Sequence, residues 1–193
     1  MRIRSRIACA VFCLAATVAA QKSAAPVTKG EFVVAITKYA KGLRQGFAPS
    51  LALAKPAVHG YGTVPAPFRS ALSEAVGMKL WPVGKQSAFL ASSPATRYEI
   101  AVALDRLRGI FEPKFASRAA PKRVNLGKLK GRVADGSHAA MTRLATGGYL
   151  PFGSPIFDGP GDTISPNTLS AVLAQFSERL GERFRKPKSV TGS

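Results

Sequence analysis

The chain has 193 residues and a formal net charge of +18, with 28 lysines and arginines against 10 aspartates and glutamates. This length allows one domain with a real core, and it is too short for a binding domain joined to a separate enzyme. The charge predicts a polyanionic partner that is reached through long-range attraction.

Residues 1–20 are typical of a secretory signal peptide. Three arginines precede an apolar run, Ile7–Val18, and small residues before Gln21 offer a cleavage site. The run is too short to cross a bilayer, although an uncleaved anchor stays the alternative. Both cysteines, Cys9 and Cys13, lie in this segment, so the mature chain has no disulfide. We therefore expect a secreted or cell-envelope protein without a transmembrane span after cleavage.

The first predicted helix begins at Thr28, which forms a capping box with Glu31. In such a box the Thr oxygen accepts from the third backbone N–H of the helix, and the Glu reaches back to the Thr amide. Apolar residues follow at helical spacing over 32–43. After a Pro-rich and Gly-rich connector, a short amphipathic helix over 67–78 leads to Trp81. This Trp either closes the core or offers a flat face to a sugar ring.

The second capping box joins Thr96 and Glu99, and the apolar stripe of its helix covers 100–107. A connector over 113–132 then carries seven bases and no acid. It is interpreted as an exposed loop, either merely solvated or in auxiliary contact with a polyanion. A second short helix is expected over 137–145.

The third helix start is incomplete. Ser165 is the expected N-cap and Pro166 occupies the first helical position, but Thr168 stands where a capping box needs Glu. The preceding loop has carboxylates at Asp158 and Asp162, which suit a turn better than a weak calcium site.

The three helix starts are almost evenly spaced. Thr28 and Thr96 are 68 positions apart, and Thr96 and Ser165 are 69 apart. Repeated units usually need their neighbours to bury their apolar faces, so one domain is expected over 21–184. Its predicted parts are a partial unit (26–66), a unit (67–112), the basic connector (113–132) and a further unit (133–184). A flexible basic tail over 185–193 would follow it.

Two of the helix starts resemble a known signature. T-R-Y-E-I-A-V-A-L from Thr96 and V-T-K-G-E-F-V-V-A-I from Val27 are similar to the S-layer homology (SLH) domain, the cell-wall anchoring module of bacterial surface proteins. The resemblance covers most of residues 26–184. It implies a mainly α fold in which helix-loop-helix units with long Pro/Gly-rich connectors pack around a pseudo-threefold axis. The helices with capping boxes would line the centre.

The resemblance also implies a ligand site. In that family the Arg of the signature lines a groove between repeats and contacts the charged group of a wall glycan. The implied role falls on Arg97 and, with a weaker donor, on Lys29, while Pro166 can donate nothing. Trp81 is a further candidate contact. The predicted structural caps are Thr28, Glu31, Thr96, Glu99 and Ser165.

No catalytic signature is present. The chain lacks a G-x-S-x-G elbow, an H-E-x-x-H helix and a phosphate loop, and His59 and His138 have no partners at metal-ligand spacing. We expect a non-catalytic module without metal or cofactor that binds an anionic wall polymer or peptidoglycan. The alternative is a small secreted structural or adaptor protein that binds an envelope protein or surface through basic loops. Nucleic-acid binding rests on charge alone and is not expected for an exported chain.

Overall fold

The computed structural model describes residues 25–56, 64–82, 89–116, 135–158 and 161–185. Within these ranges the chain forms five α-helices, a short 3₁₀ helix and no named strand. This confirms the prediction of a mainly helical fold. The predicted signal peptide, most of the basic connector and nearly all of the tail lie outside the described residues. The elements are α1 (Lys29–Phe47), α2 (Ala66–Gly77), α3 (Arg97–Phe111), the 3₁₀ helix (Glu112–Lys114), α4 (Asp135–Thr146) and α5 (Pro166–Phe184).

The long helices α1 and α3 begin with complete capping boxes. The Thr28 hydroxyl accepts from the Glu31 amide at 3.2 Å, and the Thr28 amide donates to Glu31 Oε2 at 2.9 Å. The corresponding distances between Thr96 and Glu99 are 3.2 Å and 2.9 Å. In α5 the Ser165 hydroxyl accepts from the amide at position 168 at 3.2 Å. Local side-chain chemistry therefore sets where all three long helices start.

The short helices α2 and α4 end in the same way. In each, the second residue after the helix takes a left-handed conformation, with φ 59° at Lys79 and 67° at Gly148. Each end closes with the two crossed backbone bonds of a Schellman motif. These bonds are Lys79 to Val76 (2.8 Å), Leu80 to Ala75 (2.8 Å), Gly148 to Ala145 (3.0 Å) and Tyr149 to Leu144 (2.9 Å). Each residue in the two bonds at the end of α4 lies 69 positions after the corresponding residue at the end of α2.

Backbone hydrogen bonds also join the segments that precede the three long helices. The Ala95 amide donates to the Val27 carbonyl at 2.7 Å, and the Val27 amide donates to the Ile164 carbonyl at 2.9 Å. All three residues are buried. The starts of α1, α3 and α5 therefore meet at one place in the molecule.

The hydrophobic core lies between these long helices. Contacts between helices are most extensive for α2 against α1 and for α4 against α3, while α1 also touches α3 and α5. The close approach of α2 to α1 leaves no space at Gly30, where an added Cβ would lie 2.9 Å from the Phe68 ring. Side chains buried completely on the long helices include Phe32, Ile36, Ile100, Leu104, Val172 and Phe176. None of the described helices has the length and apolar character needed to cross a membrane.

Candidate functional site

The first residues of α1 and α3 are the two cations that the sequence singles out. The Lys29 amide donates to the Ser93 carbonyl at 2.8 Å, and the Arg97 amide donates to the Asp162 carbonyl at 2.7 Å. Isolated antiparallel bridges accompany these bonds, from residue 28 to residue 94 and from residue 96 to residue 163. Each cation is therefore fixed at its backbone by the segment that precedes the next long helix.

Lys29 has a carboxylate partner. Its Nζ lies 2.7 Å from Glu99 Oε1, and the two side chains are 25% and 30% exposed. Glu99 uses its other oxygen, Oε2, for the capping box of α3. One carboxylate thus caps its own helix and neutralises the cation at the start of another.

Trp81 lies beside this ion pair, with Lys29 Nζ 6.0 Å from its ring centroid. The ring is partly buried and packs against Phe32 and Phe89, at centroid distances of 6.1 Å and 5.9 Å. The structure therefore brings Lys29, Trp81 and Glu99 together. Trp81 packs against the edge of the hydrophobic core.

Arg97 is in a different situation. Only 8% of the residue is exposed. Its Nη1 donates to the Phe157 carbonyl at 3.1 Å and its Nη2 to the Tyr98 hydroxyl at 3.0 Å. The guanidinium carbon lies 4.9 Å from the centroid of the Tyr98 ring. The Nε is buried and has no hydrogen-bond partner in the described part of the chain.

No carboxylate pairs with Arg97 within the described residues. The Tyr98 hydroxyl accepts from the guanidinium and itself donates to Asp162 Oδ1 at 3.0 Å. Asp162 is thus linked to the cation only through a phenol. Buried charges are normally paired, because removing an ion from water without a partner is unfavourable. Two of the five N–H donors of the Arg97 guanidinium are used in the bonds to the Phe157 carbonyl and the Tyr98 hydroxyl.

The third corresponding position is Pro166, which has no side-chain donor. At the start of α1, the Glu31 carboxylate accepts hydrogen bonds from the Thr28 amide and hydroxyl, and it has no cation partner within the described ranges. The three helix starts therefore differ in their electrostatics: Lys29 is paired, Arg97 lacks a carboxylate in the described residues, and Pro166 carries no charge.

A charge network between α3 and α4, centred on the buried Asp105, was not predicted from the sequence. Asp105 is 6% exposed and accepts from Arg143 Nη2 at 2.7 Å and from Arg108 Nε at 3.1 Å. Burial acts to lower the pKa of Arg108, but the bond to Asp105 and the charges of Asp105 and Glu112 raise it above its usual value. The spacing of Asp105 and Arg108 on one helix face was readable from the sequence, whereas the contact with Arg143 was not. The ion pair of Asp105 with Arg143 joins α3 to α4, which indicates a structural role for this network.

Metal ligands are not assembled within the described residues, where no group of three or more His, Cys, Asp or Glu side chains could hold an ion. His138 is exposed on α4, and His59 lies outside the described ranges. The Asp158–Asp162 loop is described only in part, without residues 159 and 160.

No protein-family model matches the chain, and neither the curated proteins nor the solved structures contain a match to it. The resemblance to the S-layer homology domain therefore stays a prediction that rests on the residues quoted above.

Proposed function

We propose that this protein is an exported, non-catalytic module that binds an anionic cell-wall polymer or peptidoglycan through Arg97. The observation that carries the proposal is a buried arginine, 8% exposed as a residue, whose guanidinium has no carboxylate partner in the described residues. A buried cation without an internal counter-charge is stabilised by an external anion. The net charge of +18 favours the approach of a polyanion, and the resemblance supplies the class of polymer.

The fold part of the proposal is a pseudo-threefold arrangement of α1, α3 and α5. It is supported by the bonds that join Ala95 to Val27 and Val27 to Ile164, and by the spacings of 68 and 69 residues. An experimental structure tests it: the three long helices should be related by rotations of about one third of a turn. Helices in unrelated environments would contradict the family resemblance.

The binding geometry follows from where Arg97 lies. It is the first residue of α3, where the helix dipole favours negative charge, and its backbone is held by the bond to Asp162. The planar guanidinium can give two parallel hydrogen bonds to a carboxylate or phosphate. Because the side chain is already ordered, little conformational entropy is lost on binding.

Sedimentation with purified cell-wall sacculi tests the function. We expect Arg97→Ala to weaken co-sedimentation even near physiological salt, because the buried contact is poorly screened. Arg97→Lys is the matched control, since it keeps the charge but loses the two-bond geometry, and it should bind with intermediate strength. Neutralising Lys128 and Lys130 together should matter mainly at low salt. Stripping the secondary polymer from the sacculi identifies whether that polymer or peptidoglycan is bound.

A basic adaptor protein is the second candidate. It is favoured by the pairing of Lys29 with Glu99 and by Pro166, since two of the three corresponding positions then offer no free cation. In this case the Arg97→Ala variant co-sediments like the wild type, while the variant at Lys128 and Lys130 fails. That result would replace the groove hypothesis with binding through basic loops.

A further inference from the structure

The third residue of a long helix carries a carboxylate in α1 and α3 but not in α5. This difference bears on the pairing of Lys29 and Arg97. Glu31 and Glu99 occupy this position in α1 and α3, and Thr168 occupies it in α5. Glu99 does more than cap its helix, because its free oxygen neutralises Lys29 at the start of α1. In α3 the residue at this position therefore both caps its own helix and pairs with the cation at the start of α1.

The backbone bonds identify which residue corresponds to Glu99 for the second cation. Lys29 bonds the carbonyl of residue 93, six positions before Glu99. Arg97 bonds the carbonyl of residue 162, six positions before Thr168. The side chain that corresponds to Glu99 at the start of α5 is thus a half-buried threonine without charge.

The threonine hydroxyl is also engaged locally. Thr168 Oγ1 lies 2.9 Å from the Ser165 hydroxyl, and the Thr168 amide donates to that same hydroxyl. This bond keeps its short side chain at the cap of α5. The guanidinium of Arg97 instead donates to the Phe157 carbonyl and to the Tyr98 hydroxyl.

We propose that Thr168 determines anion binding in this chain by leaving Arg97 without an internal carboxylate, while Glu99 closes the corresponding site at Lys29. Of the two helix starts that carry a cation, only the one at Arg97 is then open to an external anion. A carboxylate at position 168 would cap α5 with one oxygen and pair with Arg97 through the other, as Glu99 does for Lys29. Such a tethered group competes at high effective concentration with any external anion.

The test uses malonate as a dicarboxylate probe and compares Thr168→Glu with the isosteric Thr168→Gln. Melting temperatures are measured in sodium malonate and in sodium chloride of equal ionic strength, so that general salt effects are shared by all variants. A ligand that binds only the folded state raises the melting temperature. We expect the malonate-specific rise in the wild type and in Thr168→Gln, and its loss in Thr168→Glu and in Arg97→Met.

Titration calorimetry gives the affinity of malonate for the same variants. Thr168→Glu should weaken malonate binding at least about tenfold relative to Thr168→Gln, the size of one charge-assisted contact. The substitution completes a capping box, so we expect the variant to fold. Equal affinities in the two variants, or no malonate effect in the wild type, would overturn the inference.

The Lys29 site gives a reciprocal test. Glu99→Gln removes the charge that occupies Lys29 while keeping a side chain of the same shape. We expect the malonate stoichiometry to rise from one site to two, and the second site to vanish in Glu99→Gln combined with Lys29→Met. A stoichiometry that stays at one would show that Glu99 does not close a site.

This inference rests on the anion site of the proposed function, but the two can fail separately. Suppose that malonate binding is lost in Thr168→Glu, while Arg97→Ala and Thr168→Glu co-sediment with sacculi like the wild type. This result would support the role of Thr168 and refute the wall polymer as ligand of Arg97. Sedimentation that is weakened in Arg97→Ala but unchanged in Thr168→Glu would support the wall polymer as ligand and refute the role of Thr168.

Discussion

Replacing Glu99 by Gln should cost more stability than the same change at Glu31, because only Glu99 joins two helices. Both carboxylates complete a capping box with a bond of 2.9 Å to the cap amide. In addition, Glu99 pairs with Lys29 at 2.7 Å, and the two side chains are less than one third exposed. The matched substitution at Glu31 therefore isolates the contribution of the ion pair from that of the cap.

The expected size follows from this geometry. Loss of negative charge in the first helical turn costs about 0.5 kcal/mol in either variant. Loss of a partly exposed ion pair adds about 1 kcal/mol to Glu99→Gln, the upper end for surface pairs. The difference between the two variants is thus about 1 kcal/mol, or roughly 2–4 °C in melting temperature for a domain of this size.

A double-mutant cycle with Lys29→Met measures the pair directly by urea denaturation. The coupling energy between Lys29 and Glu99 should be about 1 kcal/mol and should decrease in concentrated salt. Equal destabilisation by Glu31→Gln and Glu99→Gln, with zero coupling to Lys29, would refute the reasoning.

Three further predictions concern helix ends. Thr96→Ala should lower the free energy of unfolding by about 1 kcal/mol through loss of the N-cap; an unchanged urea midpoint would mean that Thr96 does not stabilise α3. Lys79→Gly should stabilise the fold by about 1 kcal/mol, because φ 59° is unfavourable for a residue with a Cβ. Gly148→Ala should destabilise it by about the same amount, because φ 67° is unfavourable for a residue with a Cβ even though the added Cβ has room, with Arg183 Nη2 at 3.6 Å. Changes of the same sign at both positions in thermal denaturation would contradict this account.

The helix starts could be read from the sequence because capping chemistry is local. Thr28 with Glu31 and Thr96 with Glu99 lie three residues apart, and the helix geometry alone brings them together. The short helices were placed within two residues at each end: Ala66–Gly77 against a predicted 67–78, and Asp135–Thr146 against a predicted 137–145.

The surroundings of the candidate site could not be read in the same way. The pairing of Lys29 with Glu99 spans 70 positions, and the contact of Arg97 with the Phe157 carbonyl spans 60. Such contacts depend on how whole helices pack, which periodicity and capping patterns do not specify. The sequence could name both cations as candidates, but only the fold distinguishes the paired one from the one without a carboxylate.

The bond between Val27 and Ile164 has a consequence for how the domain folds. Val27 directly precedes the N-cap of α1, yet its amide donates to a carbonyl 137 positions later in the chain. The Tyr39 hydroxyl likewise donates to the Leu173 carbonyl at 2.7 Å. Contacts of such large sequence separation slow folding, because the chain entropy of closing the loop is lost before they form. The native contacts of α1 can therefore be completed only after α5 has been synthesised.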